Sequence, residues 1–141
     1  MPEIRHRVRI HAARSVVYRA ITEQAGLCAW WTPGTIARPE VGSTAEFKFG
    51  TRYHNRMEVV RLDPETTVEW KCLDGDEEWI GTSFVFDLEG SDDDTLLRFT
   101  HGNWRESTDF FASCNYQWGY YLHSLKLYCE TGAGTPFQPG D

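Results

Sequence analysis

The chain has 141 residues, of which 40% are hydrophobic and 14% aromatic, and its formal net charge is -7. This length predicts one domain with a substantial core, and the aromatic content excludes a disordered chain. The acidic balance and the lack of a clustered Lys/Arg stripe argue against nucleic acid or an anionic membrane as partners.

The cysteines Cys28, Cys72, Cys114 and Cys129 form no C-x-x-C pair. The N-terminus lacks the apolar segment of a secretory signal, and no run approaches the roughly 18 apolar residues of a membrane helix. A reduced, cytoplasmic protein without membrane insertion is expected. Neither histidines nor cysteines show ligand spacing, and no phosphate or dinucleotide motif occurs, so we expect no metal and no cofactor.

Alternating apolar and polar residues predict a first strand over residues 4–11. A helix over residues 12–21 follows, because its apolar residues recur at helical spacing. Ser15 is a candidate N-cap for this helix, and Ala13 or Arg14 is an alternative first helical residue.

A break near Gly26 separates this helix from a second short helix at residues 27–31. Residues 35–43 read as a connecting loop. A series of short strands with turn residues between them then predicts an antiparallel meander. The predicted strands cover residues 44–49, 53–60, 67–72, 84–88 and 96–101.

The last long segment, residues 108–131, predicts one amphipathic helix, and Gly132 suits the position just past its end. Helices grouped at the two ends of the sequence favour an α+β fold over a doubly wound one. A long helix after a run of strands needs a sheet to pack on. A curved sheet around it can enclose a cavity.

Several segments carry a family resemblance in their order and spacing: residues 10–21, 27–33 with WWTP, 41–47, 99–102 with FTHG, and 118–125. Together they resemble the START-like, Bet v 1-like (SRPBCC) superfamily, and within it the family of Hsp90 ATPase activator homologues. The chain departs from the family pattern at Ser43, where glycine is common, and at Trp118-Gly119, where the family often has Gly-Trp.

The resemblance implies a helix-grip fold, in which a sheet of six or seven strands wraps around the C-terminal helix and leaves an internal cavity. It covers nearly the whole chain, here treated as a single domain over 1–141 with a tail at 132–141. Six strands are assigned. The seventh is expected around Ile80 and Gly81, or in a division of the 53–61 stretch.

Inward faces of the predicted elements supply the candidate ligand-binding residues, with core filling as the alternative for each. The apolar candidates are Phe47, Phe49, Met57, Trp70, Phe84, Phe86, Phe99, Phe111, Cys114 and Trp118. The polar candidates are Asn55, His101 and Tyr121, where a satisfied buried histidine is the alternative for His101. Trp30 and Trp31 are also candidates, and as helix neighbours they point in different directions.

The leading hypothesis is binding of a small apolar or lipid-like ligand between the sheet and the C-terminal helix. One alternative is an Hsp90 co-chaperone-like or stress-response module that binds a chaperone or other protein. Another is a cyclase- or hydratase-type enzyme with His101 or Tyr121 as general acid or base. A homodimer is left open, with Trp104 as an exposed aromatic for its interface.

Overall fold

The computed structural model describes residues 1–138, so positions 139–141 of the predicted tail lie outside the described residues. Seven strands and three helices form the described chain. Their bounds in chain order are β1 (Ile4–Ile10), α1 (Arg14–Thr22), α2 (Gln24–Trp30), β2 (Gly34–Ile36), β3 (Thr44–Phe49), β4 (Tyr53–Asp63), β5 (Thr67–Asp74), β6 (Ser83–Gly90), β7 (Thr95–Gly102) and α3 (Asp109–Thr131).

The strands form one antiparallel sheet in the order β1-β7-β6-β5-β4-β3-β2. After β1, the two short helices carry the chain to the opposite edge, and a meander from β2 to β7 returns it to β1. The long helix α3 lies along the concave face of this sheet, where it contacts β1 and α2. This arrangement confirms the predicted α+β helix-grip fold.

The seventh strand is β2, and both predicted positions for it were wrong. Two of its three residues lie in the stretch predicted as a loop, and its Thr35 pairs with Phe47 of β3. The strand has only three residues, which is too short to show an alternating pattern. Gly34 allows the close pairing, because a Cβ there would lie 2.6 Å from the Lys48 carbonyl oxygen.

The break predicted near Gly26 is also misplaced, because Gly26 lies within α2. The chain instead turns at Glu23, whose backbone is extended between α1 and α2. Gly26 has a packing role: a Cβ at this position would lie 2.6 Å from the Ala20 Cα. The first helix begins at Arg14 after Ala13, so Ser15 is not its cap.

The predicted ends of α3 are confirmed. The Thr108 hydroxyl accepts a hydrogen bond from the Phe111 backbone N–H over 3.1 Å, as an N-cap does. Gly132 follows the last turn with φ of 88°, a left-handed conformation that glycine adopts without strain. Among the described helices, none is long and apolar enough to cross a membrane.

The core lies between the concave face of the sheet and the helices. It is rich in aromatic side chains, because the inward positions of β3, β5, β6 and β7 carry them. Trp118 of α3 contacts this layer directly, with its ring 4.4 Å from that of Phe99. The middle of α3 therefore meets the sheet at Trp118.

Candidate functional site

A cleft of about 440 Å³ opens where the first half of α3 diverges from the sheet. Its other walls come from the β3–β4 turn, the β5–β6 loop, the end of α2 and the C-terminal tail. Of its fifteen lining residues, eight are aromatic. They are Trp31, Phe49, Arg52, Tyr53, His54, Asn55, Asp76, Trp79, Phe110, Ser113, Cys114, Gln117, Trp118, Tyr121 and Phe137.

One face of α3 supplies six of these residues, from Phe110 to Tyr121. They recur at spacings of three and four, which places them in one stripe along the helix. The same stripe turns inward further along, where Leu122 and Leu125 are fully buried against the core. The cleft therefore ends where α3 meets the sheet and α2.

Trp31 and Trp118 form the floor of the cleft. Their rings lie 5.2 Å apart, and only 2% and 3% of their respective surfaces are exposed. Trp31 is further held by the ring of Trp70, stacked at 6.0 Å. Since these large rings are packed from behind, the floor is a preformed apolar surface.

The rings of Trp30 and Trp31 are stacked 5.9 Å apart, instead of pointing in different directions as predicted from their adjacency. The Trp30 side chain is fully buried, and its indole N–H donates to the Ala20 carbonyl oxygen over 2.8 Å. Trp31 alone reaches the cleft. Of the two candidates, Trp30 therefore joins α1 to α2 and Trp31 faces the site.

Trp79, in the β5–β6 loop, forms a further wall of the cleft, and its loop position in the sequence is compatible with a place at the entrance. Its ring is stacked near Trp118 at 6.4 Å, and its indole N–H donates to the Cys114 sulfur over 3.4 Å. Burial raises the pKa of the Cys114 thiol to about 11. The thiol therefore stays protonated at neutral pH and acts as an apolar wall.

Asn55 of β4 is the most buried polar residue of the cleft, with 6% of its surface exposed. Its side-chain oxygen Oδ1 has no hydrogen-bond partner among the described residues. Gly75 packs behind it, since a Cβ on Gly75 would lie 2.9 Å from the Asn55 Cβ. The cleft thus contains one buried acceptor whose bond the protein leaves unmade.

His101 does not line the cleft. It is fully buried, and its Nδ1 accepts a hydrogen bond from the Trp118 indole over 3.1 Å. Its Nε2 therefore carries the proton and donates to the Thr82 hydroxyl over 2.9 Å. Burial lowers the pKa of His101 to about 2, so the ring is neutral.

This geometry does not support a role for His101 as general acid or base, because both nitrogens are bonded inside the core. The residue instead positions Trp118. Tyr121 is half-buried and lines the cleft. A catalytic role for Tyr121 stays a prediction.

Charged residues at the mouth of the cleft are of both signs. Arg52 and Asp76 line it, and both side chains are exposed. The imidazole of His54 lies 3.6 Å from the carboxylate of Asp74. The mouth therefore has no strong preference for one sign of charge. The described residues hold no cluster of His, Cys, Asp and Glu side chains suited to a metal ion.

The C-terminal tail completes the cleft with Phe137. The Phe137 backbone N–H donates to the Trp31 carbonyl oxygen over 2.8 Å, and its ring lies edge-on to Phe49 at 5.4 Å. A second bond, from the Thr135 N–H to the Ser124 hydroxyl over 2.7 Å, fixes the tail on α3.

The structure brings together six of the predicted site residues. They are Trp31, Phe49, Asn55, Cys114, Trp118 and Tyr121. Eight others lie in the core, outside the cleft: Trp30, Phe47, Met57, Trp70, Phe84, Phe86, Phe99 and His101. Phe111 is half-buried and packs against Trp104 at 5.0 Å. Whether the six contact a ligand stays a prediction.

Trp104 was expected to be exposed, and that expectation was wrong. The loop after β7 folds back, so that Trp104 is fully buried with its ring 4.7 Å from His101. Among the missed lining residues, Ser113 and Gln117 follow the periodicity of α3. They were not predicted because the candidates on α3 were chosen mainly for apolar character. No sequence pattern indicates that Arg52 or Phe137 lines a cleft, because the positions of turn and tail residues depend on tertiary packing.

A curved antiparallel sheet closed by a long C-terminal helix, with an aromatic cleft between them, defines the SRPBCC or START-like class of proteins. Within this class, the chain belongs to the family of activator of Hsp90 ATPase homolog 1-like proteins, whose family model matches residues 11–130. The comparison with curated proteins gives no match.

Among solved structures, the chain is similar to the Aha1 dimer from Colwellia psychrerythraea, with 41% identity and a TM-score of 0.87. The match covers 95% of this chain and 100% of that one. A Mesorhizobium loti protein shares the fold at 16% identity and a TM-score of 0.79, over 89% of this chain and 94% of its own. A Staphylococcus saprophyticus protein also shares the fold, at 16% identity and a TM-score of 0.79. That match covers 97% of this chain and 100% of the other.

Proposed function

We propose that this protein binds a small apolar or lipid-like molecule in the cleft between α3 and the sheet. The observation that carries this proposal is the cleft itself. Its volume of about 440 Å³ lies within the range of roughly 300–1,000 Å³ typical of ligand pockets. Its mixture of an apolar lining with a few polar groups is also typical of such pockets.

The packing behind the cleft supports a preformed site. Trp31 and Trp118 are held by neighbouring rings, and Trp118 is further held by its bond to His101. A ligand that enters does not have to order these rings, so less binding energy is lost to conformational entropy. Removal of apolar surface from water drives the association.

A blocking variant tests the proposal. Ser113 is exposed at the cleft wall, so Ser113→Trp fills the cleft without disturbing the core. Ala112 is exposed on the same helix turn outside the cleft, so Ala112→Trp is the matched control. Thermal shift and native mass spectrometry against fatty acids and polycyclic aromatics should show binding to the wild type and to Ala112→Trp only. Failure of the whole panel, or equal binding by Ser113→Trp, would overturn the proposal.

A second proposal is association with Hsp90, and with it a part in the stress response. Membership of the activator family and the 41% identity to a protein described as Aha1 support it. The measurement is the ATPase rate of purified Hsp90 with and without this protein, beside a pull-down. Absence of both stimulation and association at micromolar concentration would reject this proposal and leave ligand binding untouched.

We also propose that the chain forms a homodimer and works in the cytoplasm. The relative from Colwellia psychrerythraea is described as a dimer, which supports the first point. All four cysteines are unpaired thiols, which fits a reducing compartment. Sedimentation equilibrium tests the assembly, and a monomer across the micromolar range would exclude it.

A further inference from the structure

We propose that the ligand is a neutral, flat, polycyclic aromatic molecule that donates one O–H or N–H hydrogen bond to Asn55 Oδ1. This inference rests on the proposed function and names its ligand class. It follows from three features of the cleft: the unmade bond at Asn55, the aromatic surfaces around it and the balanced charge of its mouth.

The first feature is the acceptor. Asn55 Oδ1 lies within a residue that is 6% exposed, and it has no partner among the described residues. In the free protein this oxygen is covered and its hydrogen bond is unmade, and a buried acceptor left unpaired is costly. A ligand in the cleft whose donor reaches this oxygen removes that cost. The cleft therefore selects for ligands with a donor at this depth.

The position of this acceptor is well defined. Asn55 sits in β4 opposite Phe47 of β3, and Gly75 packs against its Cβ from behind. Gly75 has φ of 141°, a conformation that L side chains rarely adopt, and a Cβ there would collide with Asn55 at 2.9 Å. The close glycine backbone thus limits the positions that the Asn55 side chain can adopt beside the cleft.

The second feature is the shape of the cleft. Trp31, Trp79 and Trp118 line it, and the rings of Trp79 and Trp118 lie within 12° of parallel. Flat aromatic ligands stack well on such surfaces. A cavity of roughly 150 Å³ holds one benzene molecule. A cleft of about 440 Å³ therefore accommodates about three fused rings.

The third feature is charge. The mouth carries exposed Arg52 and Asp76, and His54 lies near the Asp74 carboxylate. Further in, the lining residues Asn55, Ser113 and Gln117 are polar but uncharged. An ionised ligand group would lose its hydration there without gaining a counter-charge, which disfavours it. A neutral ligand loses little.

Three matched probes test the donor requirement: carbazole has an N–H, fluorene a CH₂ and dibenzofuran an acceptor oxygen at the same ring position. Affinities come from NMR titration of the ¹⁵N-labelled protein, followed at the Trp79 and Trp118 indole signals. We expect the wild type to bind carbazole about tenfold more tightly than either other probe, as one buried hydrogen bond allows.

Asn55→Leu keeps a side chain of similar volume and removes the acceptor. We expect it to bind all three probes within about twofold of one another. Asn115→Leu, on α3 outside the cleft, is the matched control and should keep the wild-type preference. The three-probe series in the wild type stands even if a variant fails to fold.

The outcomes distinguish failure of this inference from failure of the proposed ligand binding. Equal binding of the three probes by the wild type, or tighter binding of dibenzofuran, overturns the donor to Asn55 and leaves an apolar ligand site. An unchanged carbazole preference in folded Asn55→Leu overturns the assignment to Asn55. Binding of none of the three probes overturns the aromatic class, and failure against the fatty acids as well overturns the proposed function.

Discussion

The indole N–H of Trp118 donates a hydrogen bond to Nδ1 of His101 over 3.1 Å, inside the core. Trp118 forms the cleft floor and His101 does not reach it. The bond continues through Nε2 of His101 to Thr82, whose hydroxyl donates to the Trp79 carbonyl oxygen over 2.6 Å. One buried histidine thus connects the floor of the cleft, at Trp118, to the wall at Trp79.

Replacing His101 should destabilise the protein. His101→Phe keeps a ring of similar size but leaves the Trp118 indole N–H without its acceptor. We expect the free energy of unfolding to fall by about 2–3 kcal/mol at neutral pH, as for an unsatisfied buried donor. Urea unfolding followed by fluorescence measures this. His123→Phe, at an exposed histidine of α3, is the control and should change stability by less than about 0.5 kcal/mol.

The same histidine should make stability depend on pH. The unfolded chain takes up a proton at this ring near its ordinary pKa of 6.5, but the folded protein does so only near 2. Between these values the unfolded state binds more protons, so stability falls as the pH falls. From about pH 7 to about pH 5, this loss amounts to about 2 kcal/mol.

Urea unfolding at both pH values, compared between the wild type and His101→Phe, isolates this effect. Carboxylates contribute equally to the two proteins and cancel in the difference. The variant should lose about 2 kcal/mol less than the wild type over this range. Parallel losses in the two proteins would show that His101 is protonated without opening the core.

Two glycine-to-alanine substitutions in helices should have opposite signs. At Gly26 the new Cβ would lie 2.6 Å from the Ala20 Cα and 2.7 Å from the Ala20 carbonyl oxygen. Since backbone cannot yield easily, Gly26→Ala should cost about 3 kcal/mol. At Gly119 a new Cβ would meet the His6 ring at 3.6 Å, an ordinary distance. Gly119→Ala should therefore stabilise α3 by about 1 kcal/mol.

Thermal and urea unfolding of both variants check this pair. The control is internal, because the chemical change is identical and only the packing differs. Destabilisation by Gly119→Ala of the same size as by Gly26→Ala would show that close helix approach is not the cause.

Cys114 should react slowly despite lining the cleft. Burial raises the pKa of its thiol from the ordinary value of 9.0 to about 11. About 100-fold less thiolate is then present at neutral pH, and the thiolate is the reactive form. Iodoacetamide labelling with peptide mapping should show Cys114 alkylated about 100-fold faster in urea than in the folded protein. Similar rates in both states would contradict the burial of the thiol.

The order of elements and the ends of α3 could be predicted because they depend on local patterns. Thr108 and Gly132 have cap chemistry that acts within one turn. Gly26 misled because a glycine needed for close helix contact looks the same in sequence as one that ends a helix. β2 was missed because three residues are too few to show the alternation of a strand. It forms because it pairs with β3, which is a tertiary contact.

The cleft could be predicted only in part, because alternation tells which side chains point inward and not which of them meet a void. Phe99 and Asn55 both face inward, yet Phe99 packs against Trp118 outside the cleft and Asn55 lines the cleft. That difference comes from where α3 leaves the sheet. His101 looked like a site residue because its type is chemically active, and its partners Thr82 and Trp118 are distant in sequence.

The tail makes the far end of the chain part of the site. Phe137 reaches the cleft because its backbone is bonded to Trp31 and Thr135 is bonded to Ser124. Shortening the chain before Thr135 would leave the sheet and α3 intact but remove a wall. A truncated chain would therefore fold normally and bind bulkier ligands. Ligand screens should use the untruncated chain, with any affinity tag at its N-terminus.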